Sequence, residues 1–263
     1  RCTSGARPGN LIIIAGRPSQ GKSAFLENLA SNFLGQGKHV YFISAESAKE
    51  EVMDRTLGRL SGVGHESFIN GLKQTDPRWE KVQKTIDDFS RTNMVFHDDP
   101  LVTSQQILVE ATKLKLSNKL DVVLVDYLQF LKDPAGKTDN ETLRIARIST
   151  NLKTIARKLE VPVVCAAQLN RSIESRVDRI PQLSDLRQSG QIEQDADVVL
   201  GLWRENPVSN ITNFRVLKQR SGPLTQFQLR FDGRLCRFDN LAKVPEATPE
   251  FAEELFRKPY KED

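Results

Sequence analysis

The chain has 263 residues, of which 38 are Lys or Arg and 34 are Asp or Glu, giving a formal charge of +4. Its 38% apolar content supports a real core, and no apolar stretch approaches membrane-spanning length, so a large globular domain is expected and a membrane partner is not. The mild positive charge permits a polyanionic partner without arguing for one.

The opening Arg1-Cys2-Thr3-Ser4-Gly5 is polar, with neither an initiating methionine nor the apolar segment of a signal peptide. This is the pattern of a fragment or processed chain. The cysteines Cys2, Cys165 and Cys236 are scattered without zinc spacing. A reduced, cytoplasmic setting in a bacterial or phage-infected cell is the expectation. The first element is the apolar run Leu11–Ala15, read as a strand. Gly16-Arg17-Pro18-Ser19-Gln20-Gly21-Lys22-Ser23 follows at once and leads into a helical pattern over 22–34. This is a Walker A loop in its required strand–loop–helix context. Gly16 and Gly21 let the backbone curl its N–H groups toward phosphate oxygens, and the helix N-terminus favours the same anion. Lys22 is expected at the β/γ-phosphates of ATP and Ser23 on Mg²⁺.

Further strands are expected at 39–44, 94–98, 121–126 and 162–167, with helices at 48–60, 77–91, 103–116 and 141–159. Asp76, with Pro77 in the first turn, and Thr103 are the expected helix caps. Such alternation implies an α/β fold, a mostly parallel twisted sheet flanked by helices. Ligands in such folds sit beyond the carboxyl ends of the strands, here just after residues 15, 44, 126 and 167. Past residue 197 the texture changes to short strands at 198–203, 214–219, 225–231 and 235–238, with turns at Ser221-Gly222-Pro223 and Asp232-Gly233. These read as antiparallel hairpins extending one sheet edge. From Leu241 onward the chain reads as an extended tail with one short helix at 249–257.

Polar residues fall where that geometry wants them. Asp126 ends the run Val122–Val125 as a Walker B carboxylate that would hold Mg²⁺. Glu46, after the second strand, suits a general base for water; the bland alternative is a helix-capping acid. Gln168 ends another strand, where an amide is able to sense a γ-phosphate or serve as an ordinary polar end. The segment 169–197 carries Asn170, Arg171, Arg176, Arg179 and Arg187 with little apolar periodicity before Ile192. It reads as a long loop suited to nucleic-acid phosphates, against a merely solvated basic loop. Lys218 and Arg220 sit at a hairpin tip, from which an arginine would reach a neighbouring subunit's γ-phosphate. His39, His65 and His97 form no ligand spacing, and core packing is the expected role of Trp203, beside Arg204.

Taken together, Gly16–Ser23, Ser44-Ala45-Glu46, Val125–Gln129, Ala167–Arg171, Asp185–Asp197 and Lys218-Gln219-Arg220 resemble the motor domain of DnaB-type replicative helicases. The likeness runs in order over residues 5–240, and the block at 185–197 separates it from generic RecA-like ATPases. The resemblance implies a RecA-like core in a ring homohexamer that translocates on single-stranded DNA. It makes Lys22, Ser23, Glu46, Asp126 and Gln168 the phosphate, metal and catalytic residues. Arg220 becomes an arginine finger for the next subunit, with Lys218 beside it. Arg187, Gln188 and Gly190 would touch the DNA backbone. The family usually has Glu where this chain has Gln188; a contact made by backbone N–H would survive the change. On this reading residues 1–10 end an interdomain linker, 11–240 form the motor and 241–263 the tail. Primase and a helicase loader would dock elsewhere on the full protein. A filament-forming recombinase and a non-motor ATP switch are the competing readings.

Overall fold

The computed structural model describes residues 5–133, 140–206 and 208–241, with the side chains of residues 187–189 outside the described set. The expected tail helix at 249–257 also lies outside it. In chain order the elements are β1 (Leu11–Gly16), α1 (Lys22–Gly35), β2 (Val40–Ser44), α2 (Lys49–Ser61), α3 (Glu66–Ile69), α4 (Trp79–Ser90), β3 (Met94–His97) and α5 (Ser104–Leu116). There follow β4 (Val122–Asp126), α6 (Glu141–Leu159), β5 (Val163–Gln168), α7 (Gly190–Asp195), β6 (Val198–Trp203), β7 (Ile211–Gln219), β8 (Gln226–Asp232) and β9 (Arg237–Asn240).

The strands form one nine-stranded sheet in the order β3-β2-β4-β5-β1-β6-β7-β8-β9. From β3 to β6 every pairing is parallel; from β6 to β9 every pairing is antiparallel. The parallel strands are apolar almost throughout because helices cover both of their faces. Alternate residues feed two cores. Ile13, Tyr41, Val123 and Cys165 pack with Ile107 of α5, with Ile148 and Leu152 of α6 and with Ile192 of α7. Ile14, Phe42, Leu124 and Ala166 pack with Phe25 and Leu26 of α1 and Val52 of α2. That period-two division is the pleat itself.

The caps explain where the helices start. Thr103 opens α5 with a reciprocal capping box to Gln106. Asp76 accepts the Arg78 N–H at 2.9 Å, but its carboxylate also grips the Arg78 guanidinium, and α4 begins only at Trp79. The final strand also shifts. Asp232 Oδ1 accepts the N–H groups of Arg234 and Leu235, so the turn runs on and β9 starts at Arg237 rather than 235.

The segment 169–197 is more ordered than a long loop. It contains short 3₁₀ turns at Arg171–Ser175 and Leu183–Ser189 before α7. Asp185 accepts from both the Arg176 guanidinium and the Gln182 N–H, which ties the segment to itself. Pro181 presses so closely on β6 that a Cβ at Gly201 would lie 2.8 Å from it. Glycine is required there by the approach of the segment to the sheet.

Candidate nucleotide site and the cations at the far end of the sheet

A cleft of about 340 Å³ opens beyond the carboxyl ends of β1, β2, β4 and β5, lined by Pro18, Ser19, Gly21, Lys22, Ser23, Glu46, Tyr127, Gln168, Arg204 and Phe231. Gly21 makes the loop possible: its φ of +98° turns the chain into α1, and a Cβ there would meet Phe238 at 3.2 Å. Lys22 is buried and donates to the Arg17 carbonyl at 2.9 Å. Burial holds its ammonium below the ordinary lysine range, against the opposing pull of Asp126 and Glu46.

Asp126, at the end of β4, is 1% exposed and hydrogen-bonded by the Ser23 hydroxyl. Its Oδ1 is buried without a hydrogen-bond partner. Burial first, then the charges of Glu27 and Glu46, push this carboxyl up to about 7. A hydroxyl and an under-satisfied carboxylate side by side are the oxygen donors that a hard divalent cation takes, so the residues present fit Mg²⁺. Among the described residues no cluster of three or more His, Cys, Asp or Glu offers another metal site. His39 pairs with Asp121 and His65 with the Arg234 carbonyl, both outside the cleft.

Gln168 is held from two sides. The Gln129 side chain donates to its carbonyl and accepts its N–H, both at 3.1 Å, and the Tyr127 hydroxyl donates to its Oε1 at 3.4 Å. Burial raises that hydroxyl to about 12, so it remains a donor. The rest of the loop is tied down by its own side chains. Arg17 turns away from the cleft to the Leu169 carbonyl (2.9 Å) and Glu174 (2.7 Å). Gln20 accepts the Arg204 N–H at 2.7 Å, and the Arg204 guanidinium donates to the Ser19 carbonyl at 2.5 Å. Arg204 also stacks over the Phe231 ring at 5.5 Å. Gln129 and Phe231 carry no motif; only the fold brings them here. Trp203 is buried in the core, as expected.

Lys218 and Arg220 are not in this cleft. The Arg220 N–H bonds to the Asp197 carbonyl and the Asp197 N–H to the Leu11 carbonyl, which puts Arg220 at the opposite end of β1. A strand of six residues separates the two ends by about 17 Å. Lys218 donates to the Glu193 carbonyl and Arg220 to the Gln194 carbonyl, at the end of α7. Gly190 is exposed at the start of α7. The side chains of Arg187 and Gln188, just before it, lie outside the described residues.

The DnaB-like helicase C terminal domain family matches residues 1–240. The chain belongs to that family. It is 38% identical over 253 residues to the replicative DNA helicase DnaB of Haemophilus influenzae, covering 93% of this chain and 54% of the relative. The replicative DNA helicase DnaB of Pasteurella multocida is 39% identical, with 92% and 53% covered. The chain thus spans about half the length of these relatives. Among solved structures, a DnaB-like replicative helicase studied with primase aligns at TM-score 0.85 and 32% identity, covering 90% of this chain and 58% of its own. A structure of an ATPase domain on its own aligns with TM-score 0.84 and 33% identity over 90% of this chain and 86% of that one. The RadB recombinase, at TM-score 0.55 and 15% identity, shares the fold alone.

Proposed function

We propose that this chain is the ATP-hydrolysing motor of a replicative DNA helicase, working in a ring of six copies on single-stranded DNA. The observation that carries the reading is the cleft itself: Lys22, the Ser23–Asp126 pair and Glu46 meet at the mouth of one Walker A loop. Lys22 neutralises the β/γ-phosphates, and Ser23 and Asp126 would hold Mg²⁺. That ion, when bound, supplies charge stabilisation on the phosphate oxygens. Glu46 orients the attacking water and accepts its proton. Gln168, steadied by Gln129, reads the γ-phosphate.

Arg220 and Lys218, lying at the other end of the sheet, act on the cleft of the next copy. Arg187, Gln188 and Gly190 face the DNA backbone. Residues 1–10 are read as the end of a linker, 11–240 as the motor and 241–263 as a tail. Primase and a loader are partners of the whole protein, through regions other than this one, and the setting is cytoplasmic.

The ATPase rate per chain, measured against chain concentration with and without single-stranded DNA, tests the reading. A shared site predicts a specific rate that climbs steeply with concentration and rises further with DNA. A flat rate indifferent to DNA would point to a self-contained ATP switch.

A further inference from the structure

Asp197 lies between the DNA-facing segment and β6, and no part of the cleft uses it. Its carboxylate is about nine-tenths buried, where an ionised group needs partners. It has three. Oδ2 accepts the Leu11 N–H at 2.8 Å and pairs with Lys153 at 2.5 Å, while Oδ1 faces the Arg220 Nε at 3.6 Å. Lys153 is itself fixed by the Gly9 carbonyl at 2.9 Å. The carboxylate is therefore locked in place by the start of the central strand and by α6.

Arg220, by contrast, is half exposed and held only at its near side. Its guanidinium bridges two fixed acceptors, the Asp197 carboxylate and the Gln194 carbonyl at 2.8 Å. The Gln194 carbonyl belongs to the last turn of α7, where carbonyls point outward and favour cations. Lys218 uses the preceding carbonyl in the same way. Asp195 anchors α7 to α6 by accepting from the Ser149 and Thr150 hydroxyls at 2.9 and 3.1 Å. Nothing in this arrangement is adjustable except the arginine it presents.

We propose that Asp197 is a positioning residue for the neighbour's ATP hydrolysis: with the α7 carbonyls it forms a rigid seat that aims Arg220 out of the chain. The proposal rests on the reading of Arg220 as a finger acting between copies. A finger on a flexible side chain loses most of its effect if it is not preorganised. The seat supplies that preorganisation from one carboxylate that touches neither nucleotide nor metal.

The test uses three variants of the full chain at concentrations where the specific activity has levelled off. Arg220→Ala removes the finger. Asp197→Asn keeps an oxygen for the Leu11 N–H but turns an N–H₂ group toward Arg220. Glu46→Gln is inactive in its own cleft yet has an intact seat. Asp197→Asn is expected to lower kcat about tenfold with KM for ATP unchanged, because only the arginine's placement is lost. Binding of a fluorescent ADP analogue to its own cleft should be unaltered.

Mixed with an equal amount of Glu46→Gln chain, Asp197→Asn should regain about fivefold, since half of its clefts then face an intact seat. Arg220→Ala should be rescued by the same partner. Wild-type kcat for Asp197→Asn overturns the proposal, as does a defect that Glu46→Gln does not rescue while it rescues Arg220→Ala. Failure to rescue Arg220→Ala removes the finger reading itself, and the seat with it. Should Asp197→Asn not fold, the exposed Arg220→Lys takes its place. It keeps the charge but cannot bridge both acceptors, and full activity from it overturns the proposal.

Discussion

Asp126 is asked to do two incompatible things, and its titration records the conflict. The carboxylate must be ionised to take a divalent cation, yet it is almost fully buried and Glu27 and Glu46 add like charge. Burial is the larger cause, and the carboxyl sits at about 7 against 3.8 for the free side chain. The folded chain therefore holds this proton more tightly than the unfolded chain does. Its contribution to stability is complete below the unfolded value and is lost as pH rises through about 7. Asp126→Asn should consequently melt at the same temperature as the unsubstituted chain near pH 4 and higher than it at pH 8, by roughly 2–4 °C for each kcal/mol recovered. The same variant should have no Mg²⁺-dependent turnover. Thermal melts of the nucleotide-free chains at the two pH values check the sign; a less stable variant at pH 8 would mean that burial does not dominate this carboxyl. Residue identity announced Asp126 through its motif, but its environment was not legible. The like charges come from β2 and α1, and only the fold sets them against β4.

Between elements, the helix that begins at the Walker A lysine is locked to the one that follows the Glu46 strand by an ion cluster with no sequence signature. Glu27 of α1 is wholly buried and pairs with Arg55 at 2.8 Å and Arg59 at 3.5 Å, both on α2. Arg59 is 5% exposed and reaches Ser31, Thr56 and the Glu27 carbonyl besides. Such a cluster adds little net stability over an apolar pair, but removing one partner strands a buried charge. Glu27→Ala is expected to cost about 3–5 kcal/mol and lower the melting temperature by roughly 10 °C. Glu27→Gln, which keeps the hydrogen-bonding shape, should lose less; equal losses would show that the charge is not what matters. A sequence read locally sees Glu27 as a solvated helix position, since its partners are 28 and 32 residues away.

The parallel sheet was legible because its strands are apolar throughout, a local property. The segment 169–197 was not, because its 3₁₀ turns and α7 are held by distant contacts such as Pro181 on Gly201 and Asp195 on α6 rather than by helical periodicity. The same distinction governs the site: motif residues could be named in advance, whereas Gln129, Phe231 and Asp197 act through neighbours that only folding supplies.

At the scale of the whole molecule the charge balance constrains how DNA is held. With 38 basic against 34 acidic residues, the chain has too little net charge for long-range attraction to explain tight binding to a polyanion. Affinity must come from particular phosphate contacts, each of which releases counterions and adds to the salt dependence. For single strands the slope of log K against log salt falls by about 0.7 for every phosphate contact removed. Arg187→Ala is therefore expected to weaken single-stranded DNA binding at low salt and to reduce the slope by about that amount, while the affinities converge as salt rises. An affinity loss at an unchanged slope would mean that Arg187 acts through the shape of its segment instead of through a phosphate. Gln188→Glu supplies the matching control. Restoring the family's usual carboxylate should leave the slope unchanged if the backbone N–H makes that contact, and lower the affinity if the side chain lies close enough to a phosphate to repel it.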